Sequence, residues 1–353
     1  MLRNLTLLAS VLLLFLQCVQ EKPDIRVACE AAPQGYYKIK WEIFPPMEGL
    51  VKIYESSKPD SFNLLSPVAE AEIRKGYKNI FLVKSTKRSY FNLVFEKKYS
   101  VITAERIIPM QGLFNFRDLG GYYNIDGQQT RWGKIYRSSS LTRTTVQDSR
   151  ILNNLGIRTI IDFRSNTERR EAPAKYFAVN NFYLPLRGNP YNIFFDRILS
   201  GEMRVGDVRV YAQDMLAFLL TNNSDYFTKM FDILLDINNY PVLVECSMGS
   251  ERSGIAAALI LAAIDVDMDQ IISDYMLSNE LLDFNSLVFN SDIFARDEDI
   301  QETFTALVRV HKSSIIYSFS NILKDYGTLD NYFKTVLTLT PDKRKKLKEI
   351  LLY

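Results

Sequence analysis

A chain of 353 residues is long enough for one large domain or two of ordinary size, and 47% hydrophobic with 24% charged residues make it globular, not disordered. The 43 Lys and Arg against 41 Asp and Glu leave a net charge of +2, too small to imply a nucleic-acid partner. A single histidine and three cysteines argue against serine–histidine hydrolysis and against His-rich or multi-Cys metal sites, so no metal or other cofactor is expected.

In chain order, the first segment reads as lying outside the fold. Arg3 precedes an apolar stretch from Leu5 to Leu16, too short to span a bilayer comfortably and typical of a signal-peptide core. The stretch ends Phe15-Leu16-Gln17-Cys18, with polar Gln20, Glu21 and Lys22 beyond. It resembles a bacterial lipoprotein signal, which implies that Cys18 becomes the lipidated first residue. Gln17 departs from the small residue usual before that cysteine, and a plain secretory signal cut nearby is the alternative. Residues 1–18 are therefore read as a signal peptide. The mature protein is expected outside the cytoplasm, facing the periplasm or cell exterior, and held to the membrane if Cys18 is modified. Cys29 and Cys246 then remain, and Cys29 is expected to be buried without a disulfide role.

Residues 24–106 carry short β-rich runs: Ile25 to Cys29, Tyr37 to Ile43, Leu50 to Tyr54, Asn79 to Val83 and Tyr90 to Phe95. Several alternate apolar and polar residues, with Pro, Gly, Ser or Lys clusters between them. That spacing predicts a small antiparallel β-sandwich, either a spacer or a module that positions the rest of the chain or binds a partner. Trp41 on the second run loosely resembles a fibronectin type III core tryptophan.

Residues 107–353 read as an α/β unit. Asn124-Ile-Asp-Gly-Gln128 predicts a hairpin turn, because Asp-Gly supplies left-handed backbone positions. Thr142 to Leu155 predicts a helix stopped by Gly156, and Thr159 to Phe163 a buried strand with Asp162 and Arg164 at its carboxyl end. Tyr211 to Leu220 and Tyr226 to Ile237 give two helical patterns. Val242 to Val244 is suited to a buried strand and Ile255 to Ile264 to a buried helix. His311 is expected at the surface. The Lys343 to Lys348 cluster is expected on the solvated face of a terminal helix.

Between the last strand and its helix lies Cys246-Ser-Met-Gly-Ser-Glu-Arg252-Ser253-Gly. A loop of this length ending on a helix N-terminus aims successive N–H groups of Ser247, Met248, Gly249, Ser250 and Glu251 at an anion. Arg252 adds a planar fork for two phosphate oxygens. The same positive field favours the nucleophilic thiolate of Cys246, and Ser253 is placed to hydrogen-bond the sulfur. The plain alternative is a buried core cysteine with an arginine nearby by chance. Because sites in open α/β sheets collect at the strands' carboxyl ends, Asp162, Arg164 and Cys246 are expected to be neighbours.

The signature of Cys, five residues, Arg and then Ser resembles that of the cysteine-dependent protein tyrosine phosphatases. Gly112-Leu-Phe-Asn-Phe-Arg-Asp-Leu-Gly-Gly121, Gly133-Lys-Ile-Tyr-Arg-Ser-Ser139 and Leu155-Gly-Ile-Arg-Thr-Ile-Ile-Asp-Phe-Arg-Ser165 narrow the likeness. Together with Asp274-Tyr-Met-Leu-Ser-Asn279 and Tyr326-Gly-Thr-Leu-Asp-Asn-Tyr332 they look like the atypical bacterial tyrosine phosphatases, relatives of the dual-specificity and phosphoinositide phosphatases. The likeness spans the last two-thirds of the chain. It implies a tyrosine-phosphatase-like central sheet flanked by helices, behind the small all-β domain. It also implies hydrolysis of phosphate monoesters (phosphotyrosine, another phosphoprotein or a phosphoinositide) through a cysteinyl-phosphate. The substrate partner is then a phosphorylated protein or small phosphate ester.

Two departures stand at the loop. Glu245 replaces the family's usual His before the nucleophile, and Ser250-Glu251 replaces its Lys-Asp. Both remove positive potential, and an ionised Glu245 would add a negative charge, so a weaker or more specialised enzyme is expected. Glu245 accepting hydrogen bonds beneath the loop is the other possibility. For the general acid, Glu251 comes first, at the loop position where the family has Asp, and then Asp118, with Asp162 a further candidate. Structural ion pairs with Arg117 and Arg164 are the competing readings for the two aspartates. The competing function is a phosphate-binding module of the same fold that has lost turnover; a rhodanese-like sulfur carrier is more distant.

Overall fold

The computed structural model describes residues 23–32, 35–82, 87–188, 192–282 and 297–353. The signal-like segment and Cys18 lie outside the described residues.

The amino-terminal part is two antiparallel sheets. One has the order β1 (Asp24–Ala32), β2 (Tyr36–Phe44), β5 (Tyr77–Phe81); the other runs β4 (Ala69–Glu72), β3 (Leu50–Ser56), β6 (Tyr90–Phe95), β7 (Tyr99–Ala104). Alternation along the strands turns Ile25, Ile39, Trp41, Val51, Ile53, Phe91, Leu93 and Phe95 into one shared core. Trp41 sits inside it, its indole N–H donating to the Ile73 carbonyl at 2.6 Å and its ring edge-on to Phe95. Two strands were not legible. β4 is Ala-Glu-Ala-Glu, poor in strand formers, and holds its place by pairing with β3. β7 follows β6 after three residues, with Glu96 and Lys97 at positive φ making the tight turn. Cys29 is half-buried and free, less enclosed than expected, and burial pushes its thiol up to about 12.

The second part is a five-stranded sheet of order β11 (Asn180–Tyr183), β10 (Thr159–Asp162), β12 (Val242–Glu245), β9 (Ile135–Ser138), β8 (Arg117–Asp118). All neighbours are parallel except β8 against β9. β12 lies at the centre and is buried on both faces, which its unbroken Val-Leu-Val run anticipates. Val242 and Val244 face a core shared with α4 (Val205–Asn222), α5 (Ser224–Leu234), α6 (Arg252–Ala263) and α10 (Lys312–Tyr326). Leu243 faces the opposite core, with Tyr136, Ile160 and Leu152 of α1 (Val146–Leu155). Helix α1 begins later than its hydrophobic pattern suggests, because Thr145 caps it and exchanges bonds with Asp148 in a capping box. Five further helices bear on the argument or complete its order: α2 (Asn166–Glu171), α3 (Asn192–Leu199), α7 (Met268–Met276), α8 (Ser278–Leu281) and α9 (Glu298–Val308).

Helices α11 (Leu329–Thr335) and α12 (Pro341–Leu351) close the chain. The basic cluster on α12 is more than a solvated face. Lys343 reaches Asp232 at 2.9 Å, Arg344 reaches Asp330 at 2.5 Å and also Asp265, and Lys348 pairs with Asp265. His311 is half-buried at the start of α10, its Nε2 2.8 Å from the Ala306 carbonyl.

The two parts share a polar seam. Asp118 N donates to the Arg106 carbonyl at 3.0 Å, the Trp132 indole N–H to the Ile102 carbonyl at 3.0 Å, and the Tyr123 hydroxyl to the Ile25 carbonyl at 3.1 Å. Trp132 packs so closely on the Gly120-Gly121 turn that a Cβ on Gly121, whose φ is +82°, would stand 2.2 Å from its ring.

Candidate active site

Strand β12 delivers Cys246 to the carboxyl end of the sheet, and the chain turns through six residues into α6. Closing so tight a loop needs backbone freedom at Gly249. Its φ is +71°, and a Cβ there would lie 2.5 Å from the Ser138 and Ser139 backbone. The turn therefore rests directly on the end of β9, and Ser140 N donates to the Ser247 carbonyl at 3.3 Å.

What fixes the loop from below are the motifs that precede and follow it in sequence. The buried Arg137 donates from Nη2 to the carbonyls of Gly249 and Ser250, at 2.7 and 3.0 Å. Asn115 Nδ2 donates to the same Gly249 carbonyl at 2.7 Å. In a trans peptide the N–H points opposite to the C=O, so drawing these two carbonyls inward turns the N–H groups of Ser250 and Glu251 outward, toward the mouth. Arg117 donates from Nε to Asp274 Oδ1 and from Nη2 to the Asp274 carbonyl, both at 2.8 Å, and holds the Asn115 side-chain oxygen. Asp274, on α7, also accepts from Arg137 at 2.7 Å and from the Tyr122 hydroxyl at 2.9 Å.

Burial alone would raise the Asp274 carboxyl, but the Arg117 and Arg137 guanidiniums outweigh it and hold the group well below the usual carboxylate range. Burial, and then Arg117, bring Arg137 down to about 10. Two guanidiniums and one carboxylate leave net positive charge under the loop, where an anion above benefits from it.

Above the sheet, the Cys246 sulfur is buried, and its Sγ lies 3.4 Å from the Ser253 hydroxyl in the first turn of α6. Arg252 is gripped by Glu168. Nη1 meets Oε2 and Nη2 meets Oε1, each at 2.7 Å, while Nη2 also donates to Ser247 Oγ at 2.9 Å. Ser247 in turn bonds Glu168. Glu168 is presented by α2, where it completes a capping box with Ser165. Burial works against its charge, yet the Arg252 hydrogen bonds and charge bring it down to about 2.

The residues singled out in the sequence fall into two groups. Cys246, Ser247, Met248, Gly249, Ser250, Glu251, Arg252 and Ser253 form one continuous turn, with Ser250 buried and Ser247, Met248 and Glu251 half-buried. Glu251 immediately precedes α6, and after burial its charge is the next influence raising the phenols of Tyr211 and Tyr275. Asp162 and Arg164 do neighbour the loop, since Asp162 lies opposite Glu245 in the sheet. They form a buried ion pair at 2.8 Å, so this carboxylate is not placed for acid catalysis.

Asp118 is elsewhere. It pairs with Tyr136, which pairs with Leu243, three residues before Cys246 and toward the other end of the strands. Its buried carboxylate accepts from Arg88 at 2.5 Å and from the N–H groups of Gly120 and Gly133, both at 2.8 Å. That geometry makes it a structural acid. Glu245 is buried, with Oε1 3.6 Å from Arg164 Nε and Oε2 without a hydrogen-bond partner. It does not serve as a hydrogen-bond acceptor beneath the loop.

Sequence reading missed Glu168 and gave no role to Asn115, Arg137 or Asp274. The last three stand in motifs already noted. For Glu168 the signal was Ser165-x-x-Glu168 directly after a strand end. Among the described residues no group of three or more His, Cys, Asp or Glu is placed to hold a metal ion.

Residues 108–353 match the model of the tyrosine phosphatase family. A Cupriavidus necator protein named as a candidate tyrosine-protein phosphatase is 28% identical over 236 residues, covering 63% of this chain and 81% of that one. The triple specificity protein phosphatase PtpB of Mycobacterium tuberculosis is 27% identical over 193 residues, 48% of this chain and 67% of its own. Among solved structures, the core catalytic domain of the PP-IP phosphatase SIW14 from S. cerevisiae is 17% identical, covers 62% of this chain and 97% of that one, and has a TM-score of 0.28. TpbA of P. aeruginosa is 14% identical, covers 55% of this chain and 89% of that one, and has a TM-score of 0.23. The family match covers well over half of the chain and contains every element of the loop and its supports, so the chain belongs to the tyrosine phosphatase family and is a phosphoric monoester hydrolase.

Proposed function

We propose that the protein is an exported phosphatase that hydrolyses phosphate monoesters through a cysteinyl-phosphate intermediate. The observation that carries the reading is the single turn that places the Cys246 sulfur 3.4 Å from the Ser253 hydroxyl, six residues before an Arg252 held by Glu168. In the first step the Cys246 thiolate attacks phosphorus in line. The S–P bond forms, the ester P–O bond breaks, and Glu251 gives its proton to the departing oxygen. The loop N–H groups, the start of α6 and Arg252 hold the equatorial oxygens, which is the positioning and electrostatic work that phosphoryl transfer requires. In the second step Glu251 takes a proton from water as that water attacks phosphorus. The S–P bond breaks, and the Ser253 hydroxyl stabilises the released thiolate.

Phosphotyrosine and other phosphoproteins are the proposed substrates, with phosphoinositides a second group. Export rests on the Leu5 to Leu16 stretch, and attachment to a membrane on lipidation of Cys18. The test is hydrolysis of p-nitrophenyl phosphate in the presence of EDTA by wild type, Cys246→Ser and Arg252→Ala. Turnover lost in both variants is expected. Phosphate binding without any wild-type turnover would instead make this a binding module.

A further inference from the structure

Strands β10 and β12 run parallel with Asp162 opposite Glu245, so two carboxyl-bearing residues lie side by side at the carboxyl end of the sheet, Glu245 directly before Cys246. Both are buried. Arg164 commits to Asp162: its backbone N–H donates at 2.8 Å, its Nε at 3.1 and 3.2 Å, and its Nη2 at 2.8 Å. Toward Glu245 the same Nε comes to 3.6 Å, and Glu245 Oε2 is enclosed without a hydrogen-bond partner. The Arg169 guanidinium lies 3.9 Å from Asp162, further strengthening that side. An ionised carboxylate with one oxygen unsolvated and its neighbour already negative is far costlier than a protonated one.

We propose that Glu245 is a positioning residue that works as a neutral carboxylic acid, filling the floor directly before Cys246 without adding charge, and that losing its proton weakens phosphate binding in the loop. This deepens the phosphatase reading and rests on it. The departure from the family's usual His then adds no negative charge beside the nucleophile at neutral pH and sets an alkaline limit instead. Burial first, and the Asp162 carboxylate second, push the Glu245 carboxyl well above the usual carboxylate range; Cys246 acts in the same sense, and Arg164 and Arg252 oppose it. Of the other groups facing this floor, Glu168 and Arg169 come from α2, and Ser138, opposite Glu245 on β9, is uncharged. A phosphate monoester brings negative charge to the loop, so a carboxylate one residue from the nucleophile repels it through the low-dielectric interior.

The test is the pH dependence of p-nitrophenyl phosphate hydrolysis by the full chain and by Glu245→Gln, from neutral to alkaline pH. In wild type kcat/KM is expected to fall about tenfold per pH unit beyond the transition, carried by KM. In E245Q the ratio of neutral to alkaline kcat/KM is expected to approach one. Infrared spectroscopy gives a readout free of turnover: a protonated-carboxyl band at neutral pH in wild type, missing from E245Q. Superimposed alkaline limbs, or the same band in both proteins, overturn the proposal. If E245Q does not fold, wild type alone decides, because band loss and KM rise must share one transition. Absence of wild-type turnover would overturn the phosphatase reading, while the infrared band would still judge Glu245.

Discussion

Arg88 of the sandwich donates to the Asp118 carboxylate of the catalytic part at 2.5 Å, so the counter-ion of a fully buried acid in one half of the molecule comes from the other. The same guanidinium donates to the Glu105 carbonyl at 2.5 Å and the Tyr136 hydroxyl at 3.2 Å, and lies over the Tyr90 and Trp132 rings. Burial works against its charge, but Asp118 outweighs that and holds it protonated. Arg117, beside Asp118, and Arg137, beside Tyr136, both belong to the network under the loop. The sandwich is therefore joined to the catalytic part by a buried ion pair as well as by the chain.

Removing one partner of such a pair strands the other. Arg88→Met is expected to cost about 3–5 kcal/mol by urea unfolding, because Asp118 stays buried without its cation. Adding Asp118→Asn to that variant removes the stranded charge and should recover part of the loss. A double variant no more stable than Arg88→Met would show that packing, not charge, governs the seam.

Asp274 is the hub under the loop, and its replacement tests whether that network serves catalysis as well as folding. Asp274→Asn leaves Arg117 and Arg137 facing each other with no carboxylate between them. The expected result is a loss of about 3–5 kcal/mol in stability. Turnover should fall through kcat in the surviving folded fraction, because Arg137 no longer orients the Gly249 and Ser250 carbonyls. Thermal unfolding and steady-state kinetics on the same preparation separate the two effects. A variant that is unstable but turns over normally per folded molecule would confine Asp274 to the fold.

Glu168 gives a pH dependence with a definite sign. Its carboxyl is lowered from 4.5 to about 2 in the folded chain, where burial is outweighed by Arg252. The folded state therefore binds fewer protons than the unfolded state between those values, and stability falls as pH falls. The advantage of wild type over Glu168→Gln should be complete above about pH 4.5 and vanish as pH approaches about 2. Because the carboxylate is partly exposed, solvent screening keeps that advantage modest. Turnover is the larger effect: without Glu168, Arg252 keeps its charge but loses its fixed orientation, and kcat/KM should drop about tenfold or more. Parallel stability curves for the two proteins across the acid range would remove the proposed linkage.

What the sequence disclosed depended on how local each feature was. Cys246 to Ser253 is one contiguous turn between a β-branched run and an Ala-Leu-Ile run, so its spacing could be read directly. The sandwich was legible through alternation in β1, β2, β3 and β6, but not at β4, where Ala-Glu-Ala-Glu becomes a strand only because β3 lies beside it. Glu168 was hidden because α2 is six residues long and meets Arg252 only after the sheet has formed. Asn115, Arg137 and Asp274 were visible as motif residues, yet their partners are separated by more than a hundred positions and cannot be inferred from spacing. For Asp118 the competing structural reading holds, but adjacency pointed to the wrong partner: its counter-ion is not Arg117 but Arg88, in the other half of the chain.

The general acid can be identified by leaving-group dependence. An acid that protonates the departing oxygen matters most when that oxygen is strongly basic, as in phosphotyrosine. It matters least for p-nitrophenyl phosphate, whose phenolate leaves readily without a proton. Glu251, at the head of α6 in the catalytic turn, should show this contrast. Glu251→Gln is expected to lose about 10²–10⁴ in kcat on a phosphotyrosine peptide and much less on p-nitrophenyl phosphate. Asp118→Asn touches neither the turn nor its mouth, so whatever stability it loses, the ratio of its rates on the two substrates should equal that of wild type. Equal losses on both substrates for Glu251→Gln would mean that Glu251 positions the loop and that the proton comes from another group.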